Sequence, residues 1–277
     1  MVPFAAPREI SGEEFRYLTG LLHEHTGIKL APGKEALVAG RLDKRIRQLG
    51  LGGYGEYIAL LSHGHDEVEL HQMINLLTTN ETYFFREARH FEYLRQVIVP
   101  ARQPHRPFRL WSAASSTGEE AYTAAMVLAD MLPVAPWEIV GSDISTRVVE
   151  AATKALYPIE SAEKIPQPML RKYCLRGRDE YEGLLMIGRE LRARVQFHCL
   201  NLIEDIRWLG RFDVIFLRNV MIYFELATKR DLVNRMQDAL VPGGHLIIGS
   251  SESLNAIPCD LRMVEPSIYR LAGPARG

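Results

Sequence analysis

Leu110 to Met131 reads LWSAASSTGEEAYTAAMVLADM. Its first residues are apolar and follow a proline-rich segment, as a short buried strand would. The later residues repeat at helical spacing, with Tyr122, Met126 and Ala129 on one side and Ala125, Leu128 and Leu132 beside them. Between strand and helix lies Ala113-Ala114-Ser115-Ser116-Thr117-Gly118-Glu119-Glu120. Small side chains in such a turn let a ligand approach the backbone, and free N–H groups at the helix start attract anions. Trp137-Glu138-Ile139-Val140-Gly141-Ser142-Asp143 reads as the next strand, ending in an acid. Strand, turn, helix, strand and an acid roughly 20 residues past the turn is how α/β folds hold an adenosine, the acid accepting from the ribose hydroxyls. The glycine-rich G-x-G-x-x-G is absent, since the turn holds only Gly118. An ordinary βαβ unit with an acidic loop is the alternative at this point.

The chain has 277 residues, 47% of them apolar, enough for one large or two modest domains with a real core. A formal net charge of -1 gives no global pointer to nucleic acid or an anionic membrane. Cys174, Cys199 and Cys259 stand far apart, lack zinc spacing and cannot all pair, which suits reduced thiols in a cytosol. The N-terminal MVPFAAPREISGEEF lacks the layout of a signal peptide, and no apolar run is long enough to span a bilayer. A cytoplasmic protein without direct membrane insertion is expected.

Residues 1–77 read as a helical domain. Ser11 and Glu14 form a capping box before a helix with Phe15, Leu18, Leu21 and Leu22 on its apolar face. Lys34 to Leu49 forms a second helix, striped by Val38, Leu42, Ile46 and Leu49 and ended by Gly50. Lys34, Arg41, Lys44 and Arg45 fall within an arc of roughly 100° beside that stripe. The competing reading of this basic arc is a solvated helix face. Gly55 to Ser62 and Glu67 to Leu77 supply two shorter helices. His63, His65 and Asp66 sit in a glycine-containing turn without further ligands, so a loop rather than a metal site is expected.

Thr78 to Arg89, TTNETYFFREAR, follows neither periodicity and reads as a junction whose aromatics fill an interdomain seam. Glu87 to Val99 looks helical, and prolines at 100, 104 and 107 precede the central stretch. After Asp143 a helix runs to about Ala155. Tyr157 to Asn201 then breaks the rhythm with a helix near Pro168 to Tyr173 and strands at Gly183 to Gly188 and Ala193 to His198. A small antiparallel insertion at about 160–197 is expected within a domain spanning 78–277. Phe212 to Leu217 reads as a buried strand ending at Arg218-Asn219, the end where open α/β sheets bind ligands. A helix over Thr228 to Leu240, a turn at Pro242-Gly243-Gly244 and strands at His245 to Gly249 and Ser267 to Leu271 follow.

Helix, Val-Pro-Gly-Gly and strand resemble the late part of the common S-adenosylmethionine-dependent methyltransferase fold. Three motifs narrow the resemblance: Thr79-Asn80-Glu81-Thr82-Tyr83-Phe84-Phe85-Arg86-Glu87, Ser116-Thr117-Gly118-Glu119-Glu120 and Arg218-Asn219-Val220-Met221-Ile222-Tyr223-Phe224. In this order and spacing they resemble the bacterial chemotaxis receptor methyltransferases, the CheR family, over nearly the whole chain. The resemblance implies an α/β protein: an N-terminal all-helical domain, then a Rossmann-like S-adenosylmethionine-dependent methyltransferase domain carrying a small antiparallel β-subdomain insertion. It implies methyl transfer from S-adenosyl-L-methionine to glutamate carboxylates on the cytoplasmic helical region of methyl-accepting chemoreceptors, with S-adenosylhomocysteine as product.

Carried onto this chain, the family pattern sets Asn80, Thr82 and Arg86 at the methionine end and sulfur of the cofactor. Glu120 would hold the methionyl ammonium and Asp143 the ribose. Asn201, Leu202, Arg218 and Asn219 would flank the adenosine, and Arg86 and Tyr223 would face the reacting carboxylate. The resemblance also assigns receptor recognition to the basic second helix through Lys34, Arg41, Lys44 and Arg45. It allows a receptor C-terminal peptide on the β-subdomain. A monomer without metal or nucleic acid is expected. Ala121 departs from the proline that many relatives carry after the paired glutamates, which removes no ligand group. A dehydrogenase is disfavoured by the missing glycine fingerprint, and a nucleic-acid methyltransferase by Arg218-Asn219-Val220-Met221 where Asn/Asp-Pro-Pro-Tyr/Phe would stand. A non-enzymatic adaptor would have little reason to keep both Arg86 and Tyr223.

Overall fold

The computed structural model describes residues 9–62 and 67–273. His63, His65 and Asp66, read above as a loop, and the N-terminal stretch up to residue 8 lie outside the described residues. The chain divides into two compact units. One comprises the described residues up to Thr79 with Tyr223–Glu225; the other comprises Asn80–Ile222 and the described residues from Leu226.

The first unit holds α1 (Gly12–Thr26), α2 (Glu35–Gln48), α3 (Tyr54–Ser62) and α4 (Glu67–Leu77). The capping box forms as the spacing predicts: Glu14 N–H donates to Ser11 Oγ at 3.2 Å, and Ser11 N–H donates to Glu14 Oε2 at 2.8 Å. Gly27 ends α1 at φ 73°, a left-handed cap that glycine adopts without steric cost. Val38, Leu42 and Ile46 of α2 are fully buried, as are Leu18 and Leu22 of α1 and Tyr57 of α3. Beside them Glu69 of α4 is buried, receives Arg45 at 2.5 Å and accepts the Tyr57 hydroxyl at 2.8 Å.

The second unit is built on a seven-stranded sheet in the order β6-β2-β1-β7-β8-β10-β9. The strands are β1 (Phe108–Ser112), β2 (Trp137–Asp143), β6 (Val195–Cys199), β7 (Phe212–Leu217), β8 (Leu240–Ile248), β9 (Leu261–Glu265) and β10 (Ile268–Leu271). The five strands from β6 to β8 run parallel, and β10 pairs antiparallel with both of its neighbours, β8 and β9. Strand order runs outward from β1 to β2 and β6, then returns to β7 on the other side of β1. That reversal opens a crevice at the C-terminal ends of β1 and β7.

Helix α6 (Glu119–Met131) crosses from β1 to β2 and buries every residue from Ala121 to Leu128. Its alanines at 121, 124 and 125 let neighbouring elements approach closely on all sides. Helix α7 (Thr146–Lys154) follows β2, and α10 (Leu226–Asp238) precedes β8. The junction segment leads into α5 (Arg89–Tyr93), which continues as a wide turn over Leu94–Ile98.

Three expectations need correction. The antiparallel insertion is a separate three-stranded sheet of β3 (Leu156–Pro158), β5 (Leu184–Ile187) and β4 (Cys174–Arg176), with α8 (Gln167–Tyr173) between β3 and β4. It therefore starts before 160 and ends before 195. Val195–Cys199, expected inside it, pairs parallel with β2 as an edge strand of the main sheet, after the short helix α9 (Arg189–Arg192). Half-buried alternation looks the same in an edge strand of either sheet, so pattern alone did not separate them. Secondly, two of the junction aromatics pack inside the second unit. Phe84 is buried in the second unit's core against Tyr157 at 4.9 Å, and Phe85 packs on Phe91 at 5.9 Å. Thirdly, β9 was not anticipated; Arg262, Met263 and Val264 are exposed on this outer strand, which leaves little hydrophobic pattern.

Candidate functional site

The C-terminal ends of the parallel strands share one edge of the sheet, and the expected cofactor residues gather there. Ser112 closes β1 and the turn Ala113–Gly118 follows. Ala113 N–H donates to Phe216 O at 2.8 Å and Ser115 N–H to Ser142 O at 2.8 Å, so the turn is clipped to both neighbouring strands. Ser116 adopts φ 47° and Gly118 φ 96°. A Cβ at Gly118 would lie 2.9 Å from Ala152 and 3.1 Å from the Tyr157 hydroxyl, so space as well as conformation demands glycine there. Gly141, inside β2, is equally confined: a Cβ would sit 2.4 Å from the Phe197 ring.

Asp143 ends β2 and is 8% exposed. Its carboxylate accepts Ser116 N–H at 2.9 Å and Ser145 N–H at 3.0 Å. Burial raises its pKa above the usual range, opposed by the backbone N–H groups of Ser145, Ser116 and Ile144. A carboxylate offers about four acceptor positions, so at least one remains for a hydroxyl. Asp143 thus orders the turn as well as offering a ligand oxygen.

Glu120 stands in the first turn of α6. It accepts the Ser112 hydroxyl at 2.6 Å and pairs with Arg218 Nη1 at 2.8 Å. The Arg218 side chain is 1% exposed. Its second nitrogen donates to the Arg86 carbonyl at 2.5 Å and lies 3.5 Å from Glu87, while its guanidinium stacks near Phe91 and Phe216. One buried cation therefore ties the end of β7, the start of α6 and the junction segment together.

The junction is held in turn. Ser116 Oγ donates to Asn80 O at 2.8 Å, and Phe85 N–H donates to Thr123 Oγ1 at 3.1 Å. Arg86 Nη1 donates to Glu81 O at 2.7 Å, curling the segment around Thr82 and Tyr83. Phe85 and Glu87 both take left-handed backbone angles, φ 59° and 55°. Glu87 accepts Ser250 N–H at 3.0 Å and its hydroxyl at 2.7 Å. Burial tends to raise the Glu87 pKa, but Ser250, Arg218 and Asn219 bring it below the usual range.

Asn201 and Leu202 follow β6 at the same edge. Asn201 Oδ1 accepts Ile203 N–H at 3.4 Å, and the Leu202 carbonyl accepts Arg235 at 3.0 Å. Tyr223 belongs to the first unit, where its carbonyl accepts Lys29 N–H at 2.8 Å. On α2, Lys34 and Lys44 are exposed. Arg41 instead donates to the carbonyls of Leu77 and Thr78 at 2.6 and 3.2 Å and to Thr79 Oγ1 at 3.0 Å. With Arg45 on Glu69, two of the four basic side chains brace their own unit.

The residues present fit an adenosylmethionine: two acids with spare acceptor positions, a small-residue turn, and the buried polar atoms Ser115 Oγ, Ser145 Oγ and Arg218 Nε without a hydrogen-bond partner. The sequence assigns no role to Glu87 or Glu252: Glu252 binds backbone N–H groups, which carry no residue identity, and Glu87 meets Ser250, Arg218 and Asn219 from far along the chain. Among the described residues there is no grouping of three or more His, Cys, Asp or Glu that could hold a metal ion, and no helix long and apolar enough to cross a membrane.

Comparison with known proteins agrees with this geometry. A family model described as CheR methyltransferase, SAM binding domain matches residues 80–269, and one described as CheR methyltransferase, all-alpha domain, matches residues 13–78. A chemotaxis protein methyltransferase of Salmonella typhimurium is 39% identical over 95% of this chain and 91% of its own length. That of Escherichia coli is 40% identical over 95% and 92%. Chemotaxis protein methyltransferase 2 of Pseudomonas aeruginosa is 41% identical over 93% and 92%.

Proposed function

This chain belongs to the CheR methyltransferase family, and from that premise we propose that it esterifies glutamate side chains on the cytoplasmic helices of chemoreceptors. It is an S-adenosylmethionine-dependent methyltransferase of the chemotaxis type. The observation that carries the reading is the pair of acids, Glu120 in the first turn of α6 and Asp143 at the end of β2, both with acceptor positions to spare. Glu120 takes the methionyl ammonium and Asp143 the ribose. Asn80, Thr82, Arg86, Asn201, Leu202, Arg218 and Asn219 complete the set, with Arg218 acting through Glu120 and the Arg86 carbonyl.

S-adenosylmethionine, when bound, supplies an electrophilic methyl on a sulfonium. A glutamate has a reference pKa of about 4.3, so the acceptor is already a nucleophile at neutral pH and no general base is required. Negative carboxylate and positive sulfonium partly cancel as the methyl moves, so alignment and exclusion of water matter more than added charge. Arg86 and Tyr223 orient the carboxylate. An arginine gripping it too firmly would stabilise the ground state instead, and Arg86 is restrained by its bond to Glu81 O.

Lys34 and Lys44, with Arg41 and Arg45 behind them, steer an acidic receptor helix. A receptor C-terminal peptide adds to β4, an edge strand on which Leu175 is exposed. The enzyme acts as a monomer in the cytoplasm. Transfer of radiolabelled methyl from S-adenosylmethionine to a base-labile ester on receptor-enriched membranes tests the proposal. Label that resists mild base, or that appears on lipid or nucleic acid, would overturn it.

A further inference from the structure

Glu252 follows β8 and touches none of the groups assigned above to the reacting carboxylate. Its carboxylate nevertheless collects backbone donors from two strand ends. Oε2 accepts Gly249 N–H at 2.7 Å and Asn219 N–H at 2.9 Å, and Oε1 accepts Ile222 N–H at 3.2 Å. All of these partners belong to the loops that leave the sheet beside the cofactor residues.

Asn219 needs such support. Its φ is 57°, a left-handed conformation that is strained for a non-glycine residue, for asparagine less than for most. A residue holds it only where the surroundings dictate it. Here the main-chain N–H is taken by Glu252, and Nδ2 donates to Glu87 at 3.3 Å. Gly249 lets the two loops close: a Cβ there would lie 2.5 Å from Asn219 Nδ2 and 2.8 Å from Glu252 Oε2. With the amide nitrogen engaged, the amide oxygen of Asn219 is the atom offered to an N–H or O–H donor of the adenosine group.

We propose that Glu252 is a positioning residue for cofactor binding, which holds Asn219 in its left-handed conformation by binding the N–H groups of the β7 and β8 loops. The proposal rests on the methyltransferase reading. An ionised carboxylate suits the task because both oxygens accept. A glutamine in either flip would set an NH₂ donor against at least one backbone N–H, leaving a buried donor unsatisfied.

A double-mutant cycle tests this, read as S-adenosylhomocysteine affinity by calorimetry on folded protein, with thermal melts alongside. Glu252→Gln should weaken binding by about tenfold. Asn219→Gly supplies a residue that adopts φ near +57° unaided, so adding Glu252→Gln to it should change affinity by less than about threefold. Equal losses in both backgrounds, or a lower melting temperature with unchanged affinity, would overturn the proposal. Should Glu252→Gln fail to fold, Glu252→Asp keeps the charge but draws it back by one methylene, and the same cycle applies with a smaller first step. A wild-type protein that binds no S-adenosylhomocysteine would sink the methyltransferase reading itself, an outcome distinct from lost coupling.

Discussion

Arg218 Nη1 lies 2.8 Å from Glu120 Oε2, and the arginine side chain is almost completely removed from solvent. The pair joins the end of β7 to the start of α6, so the proposed cofactor site and the sheet edge share one electrostatic anchor. Breaking a buried pair from one side strands the partner charge, at a typical cost of 3–5 kcal/mol. Arg218→Ala should therefore lose about that much stability in urea unfolding, because Glu120 and Glu87 both lose their cation. Arg218→Lys should lose less but still weaken S-adenosylhomocysteine binding, since an ammonium cannot fork to Glu120 and the Arg86 carbonyl together. An Arg218→Ala protein as stable as wild type would show that the pair is incidental.

Asp143→Ala should weaken S-adenosylhomocysteine binding by roughly 1–3 kcal/mol, because ribose hydroxyls lose a charged acceptor. It should also loosen the turn, because the N–H groups of Ser116 and Ser145 lose theirs. Calorimetry and melting must therefore be read together. Unchanged affinity in folded protein would remove Asp143 from the site.

Gly141→Ala should destabilise the enzyme by about 1–3 kcal/mol, the usual cost of forcing a methyl into a packed interior. The methyl would fall 2.4 Å from Phe197, which also packs on Tyr122 of α6 at 5.5 Å. Adding Phe197→Leu should recover part of the loss. Equal melting temperatures for wild type and Gly141→Ala would contradict the contact.

Two buried histidines set a pH dependence. Burial, then the Arg218 cation, pulls His90 down to about 4 despite Glu87. Burial, then Arg270, pulls His245 down to about 4 despite Asp213. Unfolded, each titrates near 6.5, so between those values the unfolded chain binds more protons and stability falls as pH falls. The slope approaches 1.4 kcal/mol per pH unit for each histidine, about what one shifted proton is worth. The loss begins below about pH 6.5 and is complete near pH 4. His245→Gln should flatten the slope by about half relative to wild type. An unaltered slope in urea melts from pH 7 to 5 would assign the dependence elsewhere.

Much of this architecture was readable from residue order. The Leu110–Met131 stretch places strand, turn and helix because apolar period changes at Gly118, and Asp143 ends β2 as its position suggests. The capping box of α1 is wholly local and formed as expected. What stayed hidden depends on partners far along the chain. Val195–Cys199 has the alternation of any half-buried strand, and only its pairing with β2 assigns it to the main sheet. Arg41 and Arg45 look like an exposed basic stripe until α4 brings the Leu77 carbonyl and Glu69 against them. Glu252 binds backbone groups, which carry no residue identity to be recognised.

That bracing decides how the receptor-facing charge on α2 must be tested. Arg45→Glu would oppose Glu69, whose side chain is 3% exposed, so a slow Arg45 variant would report an unfolding helical unit and not a lost docking site. Arg41→Glu would likewise release the end of α4 and Thr79. Lys34 and Lys44 are exposed and can be reversed with the fold intact. If acidic receptor helices are steered by this face, Lys34→Glu with Lys44→Glu should slow methylation of receptor membranes at low salt and flatten the dependence on salt. Exposed charges act over a Debye length of about 8 Å at physiological ionic strength, so the deficit should shrink as salt is added. Affinity for S-adenosylhomocysteine should not change, because neither lysine belongs to the cofactor set. The effect should fall on the encounter rate, seen as kcat/KM for receptor with kcat nearly constant. A double variant that melts like wild type and methylates receptor at the wild-type rate in low salt would exclude these lysines from recognition.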